Sequence, residues 1–340
     1  MIVSPAEKSH THPADPLPLE PMDPQLKWIQ PGGGVVCRLE LAWGHWRRFW
    51  LKTFRPGYVR RMAETRKGSF NGCPHEVIDP RDVKFFRNQG GYYWEPRDDP
   101  FRWRDRIPFA RSGLAELIVF SLITFGPAVG LAVWLTLQGA SIAGPLRVIG
   151  WLVVATLTVI GLLIVWFFRD PPRRVPTATG LVVAPADGKV VAIDEIAHDE
   201  FVGGPAVQIG IFLSIFNVHV NRAPVAGRVI GLRYKPGKYL NALRPESARE
   251  NEQLAVRVQE TTAPYRRYVV RQITGAIARR IVCWLRPGDE LARGEKFGMI
   301  KLGSRTELVL PREEGLIIRT KIGDKVKAGL TVLAEYNQPA

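Results

Sequence analysis

The chain has 340 residues, of which 46% are hydrophobic, enough for two or three structural units with a folded core. Its formal charge of +15 at pH 7 favours an anionic partner, either a nucleic acid or an acidic lipid surface. The three cysteines, Cys37, Cys73 and Cys283, are odd in number and widely separated, which excludes a disulfide framework and a clustered cysteine metal site. A reducing compartment is the simpler interpretation.

The amino-terminal part divides by composition into two segments. Residues 1–25 hold six prolines and little apolar material, which predicts a disordered tail, and no apolar run follows a basic start as a secretory signal would require. Residues 26–111 are basic and aromatic. Within them, residues 35–54 interleave tryptophans and phenylalanines with Arg38, Arg47, Arg48 and Lys52, which predicts a helix lying on a membrane surface. A core helix of a small soluble domain is the equal alternative, and nucleic-acid binding is a third.

Residues 112–168 contain two long apolar runs. Residues 114–137 are apolar except for Glu116, and residues 146–168 are apolar except for Arg147. Each run exceeds the roughly 20 residues that cross a bilayer as a helix, and the link between them is too short for a domain. They therefore predict a transmembrane helical hairpin, with two buried helices of a soluble core as the alternative. Arginines flank both ends, which predicts that both soluble parts lie in the cytoplasm: Arg102, Arg104, Arg106, Arg111, Arg169, Arg173 and Arg174.

After residue 171 the sequence consists of short β-rich segments separated by Gly, Pro and Asp, which predicts a mainly β domain. The predicted strands are 181–183, 189–194, 206–213, 228–234, 254–259, 268–274 and 316–320. Residues 288–294 and 323–329 share the spacing Gly-Asp, one residue, aliphatic, two residues, Gly. Such turns recur in lipoyl- and biotinyl-carrier-like β-sandwiches, so a related fold is expected. No lysine stands at a carrier-type hairpin tip, which disfavours a prosthetic-group carrier.

The segment Phe297–Pro311 predicts two short strands that meet at Gly303-Ser304, because apolar residues alternate on both sides of this step. Judged from the residues alone, an ordinary corner is the simplest interpretation. However, Gly294-Glu295-Lys296-Phe297-Gly298-Met299-Ile300-Lys301-Leu302-Gly303-Ser304-Arg305 resembles the self-cleavage site of phosphatidylserine decarboxylase proenzymes of the short bacterial type. Four further blocks match in the same order: Phe167–Pro171, Pro185–Val190, Phe212–Pro224 and Gly237–Ala242. The resemblance covers about half of the chain, from Arg169 to the end.

The resemblance implies that Ser304 is the precursor of a covalent cofactor. Its hydroxyl would attack the Gly303 carbonyl, the chain would be cut between 303 and 304, and residue 304 would become an amino-terminal pyruvoyl group. The two chains of the catalytic domain, residues 169–340, would remain associated. In the family's pattern His219 is the natural base and Asp187 the carboxylate that orients it. Local sequence alone favours a turn role for Asp187 and a strand role for His219.

One position departs from the longer members of the family, which carry two histidines three residues apart in this block. Here His219 occupies the first position and Arg222 the second, so a single histidine is expected to serve both self-cleavage and decarboxylation. The pyruvoyl group would act as the electron sink, with His219 as the proton donor. Arg222, Lys238 and Arg305 are candidates to hold the substrate phosphate or carboxylate, with solvated surface charge as the alternative. No metal or nucleotide motif occurs in the sequence.

Together these features predict a membrane-anchored, pyruvoyl-dependent decarboxylase that converts phosphatidylserine to phosphatidylethanolamine at the cytoplasmic face of the cell membrane. The same chemistry on an archaeal-type serine phospholipid is the nearest alternative. A non-catalytic membrane adaptor built on a β-sandwich is the alternative from another class. Nucleic acid is not the expected partner, and a homo-oligomer remains open.

Overall fold

The computed structural model describes residues 16–69, 72–138, 141, 143–276, 280–301 and 303–337. Its helices are α1 (Val35–Phe54), α2 (Pro56–Thr65), α3 (Leu114–Leu137), α4 (Gly144–Phe167) and α5 (Ser247–Glu250). Its strands are β1 (Leu181–Val183), β2 (Gly188–Asp199), β3 (Gly204–Leu213), β4 (Val220–Arg222), β5 (Gly227–Lys235), β6 (Gln253–Gln259), β7 (Arg267–Ile273), β8 (Ile281–Cys283), β9 (Glu290–Leu291), β10 (Lys296–Ile300), β11 (Ser304–Pro311), β12 (Leu316–Ile318), β13 (Lys325–Val326) and β14 (Val332–Tyr336). The predicted helix over residues 35–54, the two long apolar helices and all seven predicted strands are confirmed.

The helices α3 and α4 form an antiparallel pair of strongly apolar character. Small residues bring them close together: a Cβ at Gly161 would lie 2.6 Å from the ring of Phe125, and one at Gly150 would lie 2.8 Å from Leu135. The spans 111–137 and 144–167 have mean hydropathies of 2.1 and 2.7, and only 11% and 6% of their most apolar windows are buried. The core helices of a soluble protein would be mostly buried, whereas these turn apolar side chains outward. Both are long and apolar enough to cross a membrane.

Residues 169–337 are mainly β. Eight strands form a curled sheet in the order β13-β2-β3-β11-β7-β6-β5-β9, and two three-stranded sheets are ordered β1-β14-β12 and β4-β10-β8. Strand β11 lies near the centre of the large sheet, antiparallel to β3 on one side and β7 on the other. Every residue of β11 is buried. The core packs the large sheet against the smaller ones through side chains such as Ile211, Leu308 and Phe297.

The repeated Gly-Asp motif has one conformation at its two sites. Gly288 and Gly323 both have left-handed φ values, 96° and 101°, and each is followed by a two-residue strand. One of these strands, β9, closes the edge of the large sheet beside β5, and the other, β13, closes the opposite edge beside β2. The two motifs therefore hold equivalent places at the two ends of one sheet.

The prediction of a disordered tail over residues 1–25 is wrong for residues 16–25, whereas residues 1–15 lie outside the described part. The Leu17 amide donates to Gln259 at 2.8 Å, the Asp23 carboxylate accepts from the Tyr234 amide at 2.8 Å, and Glu20 forms an ion pair with Arg257 at 2.7 Å. The segment stays ordered because the β domain satisfies its polar groups, although it buries little apolar surface of its own.

Residues 26–111 pack against both the hairpin and the β domain. Their apolar side chains join Phe167 and Val282 in one core cluster, and the Cys283 amide donates to the Ile29 carbonyl at 2.9 Å. Arg47 and Arg48 of α1 do not face outward as expected but are buried in ion pairs with Asp79 and Asp82. The outer face of α1 still exposes large apolar side chains, namely Trp43, Trp46, Phe49, Trp50 and Phe54.

Candidate active site

The Gly303-Ser304 step joins two strands of different sheets. Strand β10 ends at Ile300 beside β4 and β8, and β11 begins at Ser304, which lies opposite Leu213 of β3. Gly303 has φ of +60°, a left-handed conformation that costs residues with a Cβ about 1–2 kcal/mol. The Ser304 side chain is fully buried, and its Oγ has no hydrogen-bond partner among the described residues. An unsatisfied buried hydroxyl is costly, so this position calls for a chemical explanation.

A second glycine makes room for the Gly303 carbonyl. A Cβ built on Gly275 would lie 2.2 Å from the Gly303 oxygen and 3.2 Å from Ala242. No side chain could occupy that position without displacing the carbonyl. The carbonyl carbon that Ser304 would attack is therefore held by close backbone packing.

His219 lies beside this step and is completely buried. Its Nδ1 lies 2.9 Å from the Asn217 carbonyl, and the Gly303 amide donates to its Nε2 at 3.3 Å. The two contacts together select the neutral tautomer that carries its proton on Nδ1. Burial lowers the pKa of His219 to about 4, so the imidazole is neutral near pH 7. Its Nε2 lone pair accepts the amide of Gly303, the residue before Ser304. His219 would have to release that amide before it could take a proton from the Ser304 hydroxyl.

The structure does not bring Asp187 to His219. The Asp187 carboxylate accepts hydrogen bonds from Arg173 at 2.8 Å and from the Ala328 amide at 2.8 Å. Its place in the bend before β2 agrees with the turn role that the local sequence favours. The hydrogen bond that orients the imidazole comes instead from the Asn217 carbonyl, two residues before His219 in the chain.

The three candidate substrate-binding cations are engaged elsewhere. Arg222 is buried and donates to Asp170 at 3.0 Å and to the Gly294 carbonyl at 3.1 Å. Arg305 follows Ser304 on β11, so the alternation of the strand places it on the opposite face, where it pairs with Glu307 at 2.8 Å. Lys238 pairs with Glu250 at 2.7 Å, and its side chain is 70% exposed.

A buried polar cluster behind the candidate pair was missed by the sequence analysis. The Asn221 amide donates to the Thr306 hydroxyl at 3.2 Å, and the Gln272 amide donates to Asn221 at 2.9 Å. Asn221 stands two residues after His219, and Thr306 stands two residues after Ser304. The i, i+2 spacing was the available signal. On β11 it places Thr306 on the same face as Ser304, whereas Asn221 lies in β4 and His219 immediately precedes that strand.

The part of the chain that holds this site is similar to known proteins. The family model for phosphatidylserine decarboxylase matches residues 160–334, just over half of the chain. A phosphatidylserine decarboxylase proenzyme of Rhodopirellula baltica is 50% identical over 256 residues, covering 75% of this chain and 100% of the relative. A proenzyme of the same name from Syntrophus aciditrophicus is 40% identical over 227 residues, covering 67% of this chain and 97% of the relative.

A third relative, the proenzyme of Nitrosomonas eutropha, is 46% identical over 187 residues, covering 55% of this chain and 84% of the relative. The match to the family model includes the Gly303-Ser304 step, His219 and the strands around them. Family match and relatives alike confirm the resemblance seen in the sequence. The chain belongs to the phosphatidylserine decarboxylase family.

Proposed function

We propose that this protein is a phosphatidylserine decarboxylase that makes its own pyruvoyl cofactor from Ser304 and converts phosphatidylserine to phosphatidylethanolamine. One observation carries the proposal. A fully buried Ser304 hydroxyl without a hydrogen-bond partner follows a glycine in left-handed conformation, and the amide of that glycine donates to the neutral imidazole of His219. The site thus supplies a nucleophile, a carbonyl whose own residue has no side chain, and a base.

Self-cleavage would proceed by an N-to-O acyl shift. As the neutral imidazole of His219 takes the hydroxyl proton, the Ser304 oxygen attacks the Gly303 carbonyl carbon. The imidazolium then gives this proton to the nitrogen of residue 304 as the C–N bond breaks, which leaves an ester and a free amine. Elimination across the Cα–Cβ bond of residue 304 then releases the Gly303 carboxylate. The resulting dehydroalanine tautomerises, and water hydrolyses it to a ketone and ammonia. Glycine at position 303 favours the first step because it has no Cβ to crowd the carbonyl carbon.

The residues around Ser304 fit a pyruvoyl group at this position. The group would supply the electron sink for decarboxylation. The apolar burial that lowers the pKa of His219 also excludes water from the reacting atoms. His219 would then return a proton to the carbon that loses carbon dioxide, and the Asn217 carbonyl would hold the ring in place.

The two chains would remain associated after the cut. Residues 304–340 contain β11, whose neighbours β3 and β7 lie upstream of the cut, and β14, which pairs with β1. Removing this segment would take a central strand out of the large sheet.

The equivalent edge motifs at β9 and β13 support the interpretation of this sheet as a relative of carrier-type β-sandwiches.

We further propose that α3 and α4 cross the membrane and that the catalytic domain lies on the cytoplasmic face. The low burial of both helices and the arginines at both ends of the hairpin support this arrangement. The exposed aromatic face of α1 would lie in the interface beside them. A substrate that stays in the bilayer is then concentrated at a tethered enzyme.

The test is intact mass spectrometry of the membrane-inserted protein beside Ser304→Ala, followed by assay on phosphatidylserine vesicles. We expect the wild type to yield a fragment that begins at residue 304 with a pyruvoyl mass and to release carbon dioxide, while Ser304→Ala remains whole and inactive. If both proteins are folded and both remain whole, the cofactor is not made and an adaptor function takes the place of the enzyme. Turnover of an archaeal-type serine lipid at an equal rate would show that the tails do not decide the substrate.

A further inference from the structure

The lipid phosphate needs a cationic partner near His219, and Arg169 occupies the required place. It follows the last residue of α4 by two positions and is partly exposed. Its guanidinium donates to the Trp166 carbonyl at 2.7 Å and to the Phe216 carbonyl at 2.8 Å, and it stacks over the Trp166 ring at 4.0 Å. None of the ion pairs among the described residues includes Arg169. Two of its five N–H donors are used, which leaves donors for an anion.

The loop that Arg169 contacts lies at the end of the hairpin. We call residues 214–217 the interfacial loop. Its Phe216 side chain is 57% exposed and its Ile215 side chain 40% exposed, beside Trp166, which is 52% exposed. The Trp166 indole donates to the Phe216 carbonyl at 3.1 Å, which fixes the loop to the last turn of α4. An exposed apolar loop joined to the end of an apolar helix belongs at the level of the lipid headgroups.

The interfacial loop leads directly into the catalytic base. The Ser214 hydroxyl donates to the Asn217 side chain at 2.7 Å, and the Asn217 carbonyl orients His219. The ring of Phe167, which separates the hairpin from the site, lies 4.5 Å from the His219 ring. The positive charge of Arg169 also contributes to the lowered pKa of His219, after the larger effect of burial. A phosphate bound at Arg169 would therefore hold its headgroup next to the reacting atoms.

We propose that Arg169 binds the phosphodiester of the glycerophospholipid substrate and that the interfacial loop inserts among the headgroups to present it. The inference rests on the proposed function. It assigns substrate binding to a residue other than Arg222, Lys238 and Arg305, each of which is already engaged. Planar guanidinium donors suit a phosphodiester, and the stacked tryptophan keeps them in place without neutralising the charge.

The first experiment compares matured wild-type enzyme with Arg169→Gln, Arg169→Lys and the control Arg174→Gln, an exposed arginine of the same juxtamembrane stretch. In vesicles of phosphatidylserine and phosphatidylcholine, we expect Arg169→Gln to raise KM at least about tenfold, the loss typical of a charged hydrogen bond, with a smaller change in kcat. Arg169→Lys should recover part of this loss, and the control should match the wild type. An unchanged KM in Arg169→Gln overturns the proposal.

Self-cleavage separates this outcome from failure of the function itself. Mass spectrometry should show all four proteins cut to the same extent, because the Trp166 indole still donates to the Phe216 carbonyl and holds the interfacial loop when Arg169 is replaced. If Arg169→Gln fails to mature while Arg174→Gln matures, Arg169 holds the loop for self-cleavage and the phosphate assignment is wrong. If the wild type neither matures nor turns over, the proposed function fails first.

A second experiment distinguishes a lipid headgroup from free phosphate and tests the interfacial loop. Glycerophosphoserine should compete with dihexanoyl phosphatidylserine in the wild type, and its inhibition constant should rise about tenfold in Arg169→Gln. Inorganic phosphate that competes equally well would contradict recognition of the headgroup. Phe216→Ser should raise KM for vesicles while leaving KM for the dispersed short-chain lipid unchanged. An equal effect on both substrates would refute insertion of the loop.

Discussion

A buried ion pair ties the hairpin to the segment that precedes the cut. The Lys301 ammonium pairs with Glu116 in the first turn of α3, and it also donates to the Gln30 side chain at 3.1 Å. Lys301 and Glu116 are 7% and 8% exposed, and burial is the main cause of the lowered pKa of Lys301. Lys301 stands two residues before Gly303. We expect Glu116→Leu to destabilise the protein strongly, because it leaves this ammonium buried without its counter-charge.

The expected magnitude follows from the burial of both partners. Breaking a buried pair from one side costs about 3–5 kcal/mol, which corresponds to a fall in the melting temperature on the order of 10 °C. The double variant Glu116→Leu with Lys301→Met should regain most of that loss, since it buries no unpaired charge. In Glu116→Leu alone, stability should rise with pH. The pKa of Lys301 is lower in the folded than in the unfolded state, so the unfolded state binds more protons.

The assay is thermal unfolding of the Ser304→Ala background in detergent micelles, followed by circular dichroism. This background keeps all variants uncleaved, so that the melting temperatures compare like with like. Asp79→Asn, which breaks the buried pair with Arg47 away from the cut, serves as the control for general destabilisation. When Ser304 is retained, self-cleavage can be measured in the same variants. Its rate should fall more in Glu116→Leu than in Asp79→Asn. If Glu116→Leu melts at the same temperature as the protein that keeps both Glu116 and Lys301, the reasoning is refuted.

Three further predictions concern the site itself. Gly303→Ala should slow self-cleavage about tenfold in a mass-spectrometric time course. The new Cβ would meet no neighbour, so the cost of the substitution comes only from the left-handed φ of +60°. A wild-type rate would contradict this prediction. The self-cleavage rate should stay constant from neutral pH down to about 5 and fall near pH 4, the pKa of His219, and stability should likewise be lost as the pH falls from about 6.5 towards 4. An acidic limb at pH 6.5 would show that the base titrates like an ordinary histidine and would contradict the lowered pKa of His219. Arg305→Gln should lower the melting temperature, because it leaves the buried Glu307 carboxylate without this partner, while KM for phosphatidylserine stays unchanged; a raised KM would place Arg305 in the substrate site.

The local pattern of the sequence predicted part of the secondary structure: it identified α1, α3, α4 and nine strands, but not α2, α5, β4, β8, β9, β13 or β14. Alternation of apolar residues predicted the strands, and the uninterrupted apolar runs predicted α3 and α4 to within two residues. The Gly303-Ser304 step and His219 were identified as candidates through the resemblance to a family, which five motifs in a fixed order carry. The local sequence alone favoured an ordinary corner and a strand histidine. The disorder predicted for residues 16–25 was wrong because composition does not show which polar groups the β domain satisfies.

Contacts between distant segments were decided only by the tertiary structure. Asp187 stood in a candidate motif, yet the tertiary structure pairs its carboxylate with Arg173 and with the Ala328 amide, 141 residues away in the chain. The contact that orients His219 is the local one to the Asn217 carbonyl. Arg305 looked well placed because it adjoins Ser304, but strand alternation turns it to the other face. Arg169 came into consideration once the end of α4 was seen beside the interfacial loop. The residue types and their order thus predicted the main elements and the candidate nucleophile. Which charges are already paired, and which remain for a substrate, depends on distances between segments that no local pattern records.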